Sequence, residues 1–227
     1  RPAVLLNPLS GRVRRRPEAV RALAREIPCR AEFPEVAGRP AFVFLPEAPA
    51  PRPAPWIWYA PTLDGHPDPS HAWMFRRFLE RRIAIAGIDV GESFGSPRGR
   101  AAYAAFSRFL EERMGLGEKA ILLPQSRGGL MLYNWAAEEP GRVACIAGIY
   151  TVCDMRSYPG LDGACGAYGM DAAALAARLS EHNPIDRLKP LADAKVPILH
   201  IHGDSDGVVP LEANAGELIR RYRELGG

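Results

Sequence analysis

Five short runs of this 227-residue chain are apolar at nearly every position: Trp56–Ala60, 83–88, 120–123, Val143–Ile149 and 196–201. A strand with one wet face alternates apolar and polar residues, whereas a strand buried on both faces reads as a continuous apolar run. The segments between these runs have helical spacing instead. Residues 100–114 put Tyr103, Phe106, Phe109 and Leu110 on one face, and 71–82, 128–139 and 211–225 are also helical. Doubly covered strands alternating with helices specify an α/β fold, a mostly parallel sheet with helices on both faces. A further strand is expected at 41–45, and a first helix at 17–27, opened by Pro17 at a first-turn position.

The length suits a single domain over 1–227. The alternation breaks at 150–190, where Pro, Gly and Cys lead into an alanine-rich helical run at 171–179. An insertion there lies above the strand ends, where open α/β sheets bind ligands. Residues from about 151 to 190 are therefore expected to form a small cap or lid. Proline is abundant, 22 of 227 residues, and its concentration between Pro46 and Pro69 marks that stretch as loop or edge.

Charge and apolar runs narrow the partners. The net charge is +3, and the one dense basic run, 12–16, lacks interleaved aromatics and reads as a solvated face, so no nucleic-acid partner is expected. No apolar run approaches the roughly 20 residues of a spanning helix. A soluble protein is expected, with no membrane partner, either cytoplasmic or secreted after removal of a signal. Cys29, Cys145, Cys153 and Cys165 lack metal-type spacing. Cys145, inside an apolar run, is expected to be a buried thiol, and Cys153 and Cys165 could pair in an oxidising compartment.

The sharpest chemical signal is Ala120-Ile-Leu-Leu-Pro-Gln-Ser126-Arg-Gly128-Gly129, an apolar strand running into a serine, then small residues, then a helix. In a nucleophile elbow the serine sits on a tight strand-to-helix turn, and the position two residues later must be small because the backbones crowd. Gly128 meets that need, while Pro124 stands where glycine is usual. The helix start beyond Arg127 would aim free N–H groups at a developing oxyanion. The alternative is that Ser126 merely caps the helix.

A second segment bears on that choice. Val196-Pro-Ile-Leu-His200-Ile-His202-Gly203-Asp204-Ser-Asp206-Gly-Val208-Val-Pro210 resembles the strand and turn that carry the triad acid in α/β-hydrolases, in the H-G-x-x-D-x-x-V-P form of prolyl-oligopeptidase-like and dienelactone-hydrolase-like enzymes. Asn183-Pro184-Ile185 resembles a short stretch that precedes this strand in the same enzymes. The resemblance spans roughly residue 42 to the end. It implies an α/β-hydrolase fold with Ser126 as nucleophile, Asp206 as acid and His202 as a structural residue. The order Ser, Asp, His is that of the family.

By the same resemblance the Arg127 N–H is one oxyanion donor. The loop after Trp56–Ala60 supplies the other, Thr62 or, one residue on, Leu63. The family's base follows one more strand after the last helix, so the catalytic His is expected beyond Gly227. His71 and His182 are the lesser candidates. Without a base the chain would be inactive, and an unpaired sheet edge would invite a homo-oligomer. The turn at 89–96 is expected to be structural, with Ser96 as a cap. Trp73, Tyr150 and Tyr168 could line a pocket.

A rival reading takes His200-x-His202-x-Asp204 as the start of a metal site, but only His66, His71 and His182 remain as further imidazoles. The expectation is a serine hydrolase acting on a small-molecule carboxylic ester, with no metal and no cofactor. The alternatives are a prolyl-type serine peptidase and a non-catalytic α/β-hydrolase-fold binding protein.

Overall fold

The computed structural model describes residues 18–227. Pro17 and the basic run 12–16 lie outside the described residues. In chain order the elements begin α1 (Glu18–Glu26), β1 (Cys29–Glu32), β2 (Glu35–Val36), β3 (Arg39–Pro46), β4 (Trp56–Ala60), α2 (Ala72–Glu80), β5 (Ala84–Ile88) and α3 (Pro97–Met114). They continue with β6 (Ala120–Pro124), α4 (Gly128–Glu138), β7 (Val143–Ile149), α5 (Leu161–Tyr168), α6 (Ala172–Ala177), α7 (Lys189–Asp193), β8 (Ile198–Ile201) and α8 (Glu217–Glu224).

The sheet runs β1-β3-β5-β4-β6-β7-β8, with β2 paired to β3. Strands β5, β4, β6, β7 and β8 are parallel, as their apolar runs require. The antiparallel end is what the sequence pattern did not reveal: β1 and β2 are short and carry charged residues. The hairpin between β2 and β3 turns through Ala37 and Gly38, both with positive φ (51° and 71°). A two-residue turn of that kind matches the twist of paired strands.

β4 shows how the sheet is covered. All five of its residues are buried, and they alternate between two cores. Trp56, Trp58 and Ala60 face α3 and α4, where Trp58 meets Tyr103 and Trp135 with ring centroids 4.8 and 4.7 Å apart. Ile57 and Tyr59 face α1 and α2, with Phe42, Phe44 and Phe75. Burying apolar area on both faces, at ~25 cal/mol per Å², is what a strand without polar alternation offers.

The segment between β7 and β8 contains α5, α6 and α7. Val152, Met155, Ala164 and Leu175 form a third apolar cluster with Leu130 of α4 and Val209. Two fully buried asparagines tie it down. Asn214 Oδ1 accepts from Cys153 N–H and Asp154 N–H, and Asn183 Oδ1 from Met155 N–H.

Several sequence expectations need correction. Cys153 and Cys165 are both free, Cys153 sealed in the interior and Cys165 half-buried on α5, so they do not pair; Cys145 is only half-buried. Ser96 holds the N-cap position of α3 but makes no side-chain cap bond. α3 begins at Pro97, and the last helix becomes α-helical only at Glu217, after a wide turn at Glu212–Gly216. Trp73 projects from α2 with 72% of its surface exposed, and the Arg77 guanidinium lies over its ring. No helix among the described residues is long and apolar enough to cross a membrane.

Candidate active site

Ser126 stands between β6 and α4 with φ at 50°, a left-handed conformation that an L residue other than glycine adopts only under constraint. The constraint is visible on all sides. Gln125 N–H donates to Ala60 O at 2.8 Å and Ser126 N–H to Ile149 O at 3.0 Å, so the turn hangs between the two neighbouring strands. Gly129 N–H and Val152 N–H both donate to Ser126 O, at 3.1 and 2.9 Å.

A Cβ on Gly128 would overlap the Ala60 carbonyl and one on Gly129 the Val152 carbonyl, so both glycines are steric requirements. Pro124 is accommodated at the end of β6, where its carbonyl accepts from Thr151 Oγ1. The Ser126 side chain makes no hydrogen bond to a described residue, and the residue is partly open to solvent. A serine that only capped α4 would bond the helix's N–H groups with that hydroxyl. α4 has no side-chain cap.

Arg127 occupies the N-cap of α4, and its backbone N–H has no acceptor among the described residues. Its side chain is drawn aside by Glu92, with Nε 2.9 Å from both carboxylate oxygens. Thr62 lies in the loop that Gly128 abuts. Its hydroxyl donates to Tyr59 O at 3.4 Å, and its backbone bridges to Asp89. Leu63 N–H is already committed to His66 O at 3.0 Å.

Asp206 follows β8, one strand beyond the neighbour of β6. Parallel strands put their C-terminal ends on one rim, and two strand spacings separate these ends by roughly 10 Å. Asp206 Oδ1 accepts from Val208 N–H at 2.9 Å and Val209 N–H at 2.8 Å. Those bonds, Val209 first, hold the carboxyl below the usual carboxylate range. Oδ2 is left open, with His202 Nε2 4.0 Å away. His202 does not bond Ser126; its Nε2 donates to Val209 O at 2.7 Å and braces the turn that carries Asp206.

The remaining histidines are placed elsewhere. His200 Nε2 lies 2.7 Å from the Tyr133 hydroxyl on α4. Burial, with His202 nearby, lowers its imidazole to about 4. His182 is buried against Tyr168, and neither of its ring nitrogens has a partner. Among the described residues no three His, Cys, Asp or Glu side chains gather at metal-binding spacing.

One cluster escaped the sequence reading. Gln125 Oε1 accepts from the Tyr59 hydroxyl at 3.0 Å and lies 2.9 Å from His71 Nε2, while Gln125 Nε2 donates to the Tyr150 hydroxyl. Its only sequence trace is the capping box of Asp68-Pro-Ser-His71.

No protein-family model matches the chain, and no curated protein matches it by sequence. Solved structures do. Dipeptidyl peptidase 4 of Porphyromonas gingivalis superposes with a TM-score of 0.69 at 13% identity, over 87% of this chain and 31% of that one. S-formylglutathione hydrolase of Staphylococcus aureus does so with a TM-score of 0.67 at 14% identity, over 87% of both chains. A puromycin-hydrolyzing peptidase of Mycobacterium tuberculosis gives a TM-score of 0.63 at 17% identity, over 87% of this chain and 34% of that one. The chain thus spans about a third of the length of the two peptidases. Its fold is the α/β-hydrolase fold. In that fold the strand-to-helix turn at Ser126 and the turn at Asp206 share the rim where ligands bind.

Proposed function

We propose that the protein is a serine hydrolase that cleaves a small carboxylic ester by acyl transfer, with Ser126 as nucleophile. The observation that carries the reading is the left-handed φ of Ser126 at a glycine-crowded strand-to-helix turn, its hydroxyl without a bond to a described residue and the residue partly open to solvent. Strain of that kind persists where the surroundings over-determine it, and it clusters at functional sites.

Ser126 Oγ attacks the ester carbonyl while a base takes its proton. The Arg127 N–H and a donor from the Thr62 loop hold the oxyanion. Collapse of the tetrahedral intermediate expels the alcohol, and water then releases the acid. Asp206, with Oδ2 free, orients the imidazole that serves as base. None of the described histidines bonds Ser126, and we assign the base to a histidine outside these residues. The 151–190 segment would close over the acyl group as a cap.

The test is labelling of the full-length protein with a fluorophosphonate probe, followed by turnover of p-nitrophenyl acetate and of a proline p-nitroanilide. Labelling at Ser126, its loss in Ser126→Ala, and preference for the ester support the proposal. Preference for the anilide shifts it to a prolyl-type peptidase. A folded full-length protein that does not label leaves a non-catalytic binding role.

A further inference from the structure

The residue before the nucleophile is held by a directional chain of hydrogen bonds that starts at a helix cap. His71 ends the short turn Pro69–His71 ahead of α2, with only 7% of its surface exposed. Its Nδ1 lies 3.3 Å from Asp68 N–H, the return bond of the capping box. Asp68 Oδ1 is occupied by Ser70 N–H and the Ser70 hydroxyl, at 2.9 and 2.5 Å.

A ring nitrogen that accepts a backbone N–H carries no proton, so the proton sits on Nε2. The Gln125 Oε1 waiting there at 2.9 Å is an acceptor. The opposite tautomer would serve Asp68 Oδ1 or Asp68 O, each 3.2 Å from Nδ1. It would then leave the lone pairs of Nε2 and Oε1 facing one another, with the one Tyr59 hydroxyl proton, 3.0 Å from each, to serve both. With the Tyr59 hydroxyl as second donor to Oε1, the Gln125 amide has one orientation, and its N–H groups face Tyr150. Tyr150 itself follows β7 with φ at 36°, and its N–H donates to Ile201 O at 2.7 Å. The chain therefore crosses the ends of β4, β6 and β7.

We propose that His71, as its Nε2–H tautomer, is a positioning residue for the nucleophile elbow. Together with Tyr59 it fixes Gln125, and through the Gln125–Ser126 peptide it holds the left-handed turn that aims the serine. This rests on the serine hydrolase reading. His71 touches neither substrate nor Ser126; it acts through Gln125.

Three variants of the full-length protein separate this role from simple packing. His71→Phe keeps a ring without the donor, and kcat for p-nitrophenyl acetate should fall about tenfold or more, the scale of a slightly misplaced reacting group, with KM within about twofold. His71→Gln can bring an amide N–H to the Nε2 position and should recover most of that loss. Tyr59→Phe removes the second donor and should lie between them. Long-range proton–nitrogen spectra of histidine-labelled protein at pH 8, with the His71 signal identified by its absence in His71→Gln, should show a protonated Nε2 and a bare Nδ1.

Any other protonation pattern overturns the proposal, as does a Phe variant with unchanged kcat or a Gln variant no better than Phe. A wild-type protein that fails to label at Ser126 sinks the hydrolase reading. A wild type that labels normally beside an unimpaired Phe variant sinks only the role of His71.

Discussion

The two turns that would share the chemistry are built in opposite ways. The Ser126 turn is threaded into the interior: its backbone bonds to Ile149, Val152 and Gly129, and its glycines press on the carbonyls of Ala60 and Val152. The Asp206 turn stands in solvent. At Gly203 and Gly207 beside it, an added Cβ would find no atom within 4 Å, and the carboxylate is placed by two N–H groups from its own next residues. The geometry of Ser126 is thus a long-range property that needs the whole sheet, and that of Asp206 is a local one that needs a strand to start from. A strained conformation requires many contacts to hold it, whereas an aspartate that bonds the backbone two and three residues on makes its own turn.

The sharpest way to break this contrast is Asp206→Asn. The amide oxygen of asparagine can accept from Val208 N–H and Val209 N–H as the carboxylate does, so the thermal midpoint should barely move. Turnover of p-nitrophenyl acetate should fall by roughly 10⁴, the scale seen when a triad acid loses its charge but not its shape. A fall of less than tenfold would remove Asp206 from the mechanism. Next in size is Gly128→Ala. An added methyl meets the backbone of β4 and Pro61, which cannot give way as a flexible side chain would. A loss of about 3 kcal/mol or failure to fold is expected, read from urea unfolding. A near-neutral result would mean that the turn is looser than its geometry implies.

That difference in construction also decides what could be read from the chain. The Asp206 turn is a contiguous string, His202-Gly203 through Pro210, and its local bonds follow from that string. The elbow was legible as strand, serine, glycine and helix, because Gly128 and the apolar run leave a mark in order. Its supports were not: Gln125 meets Tyr59 and His71 from 66 and 54 positions away, and no periodicity encodes such a meeting. The parallel strands announced themselves because burial on both faces strips out polar residues. The short edge strands β1 and β2 carry Arg30, Glu32 and Glu35, the composition of a surface, and gave no sign of pairing. The two cysteines at 153 and 165 share a segment, yet one is sealed against Asn214 and Thr151 while the other rides on α5. Sequence distance did not foretell their separation.

His200 is the joint between the two regions, since it sits on the acid's strand and its ring stacks on Tyr133 of the helix that begins at the elbow. Burial, then the neighbouring His202, brings its imidazole from 6.5 to about 4. As pH falls, the unfolded chain takes the proton first. The stability tied to this group is therefore complete above pH 6.5 and is lost as pH drops toward 4. Between pH 7.5 and 5 the loss should be about 2 kcal/mol, seen as a lower urea midpoint. His182, also held low by burial first and by Arg100 next, adds in the same direction. His200→Gln should remove only its own share. An unchanged pH dependence in that variant would show that the joint is hydrated and that the two turns are not coupled through it.

The smallest expected effect is the most direct check on the claim that the acid turn is local. Alanine at Gly203 or Gly207 meets no atom, and neither glycine uses the left-handed region. Each substitution should leave stability within about 0.5 kcal/mol, or raise it slightly by restricting the unfolded chain, with ester turnover within about twofold. The same chemical change, one methyl on a glycine, is thus expected to be severe at 128 and silent at 203 and 207. If the alanine at 207 instead lowered turnover while leaving the unfolding midpoint in place, open space beside Asp206 would have to be needed by something that arrives there during the reaction. On the proposed mechanism, the imidazole that would take the Ser126 proton is the group whose approach an added methyl would obstruct.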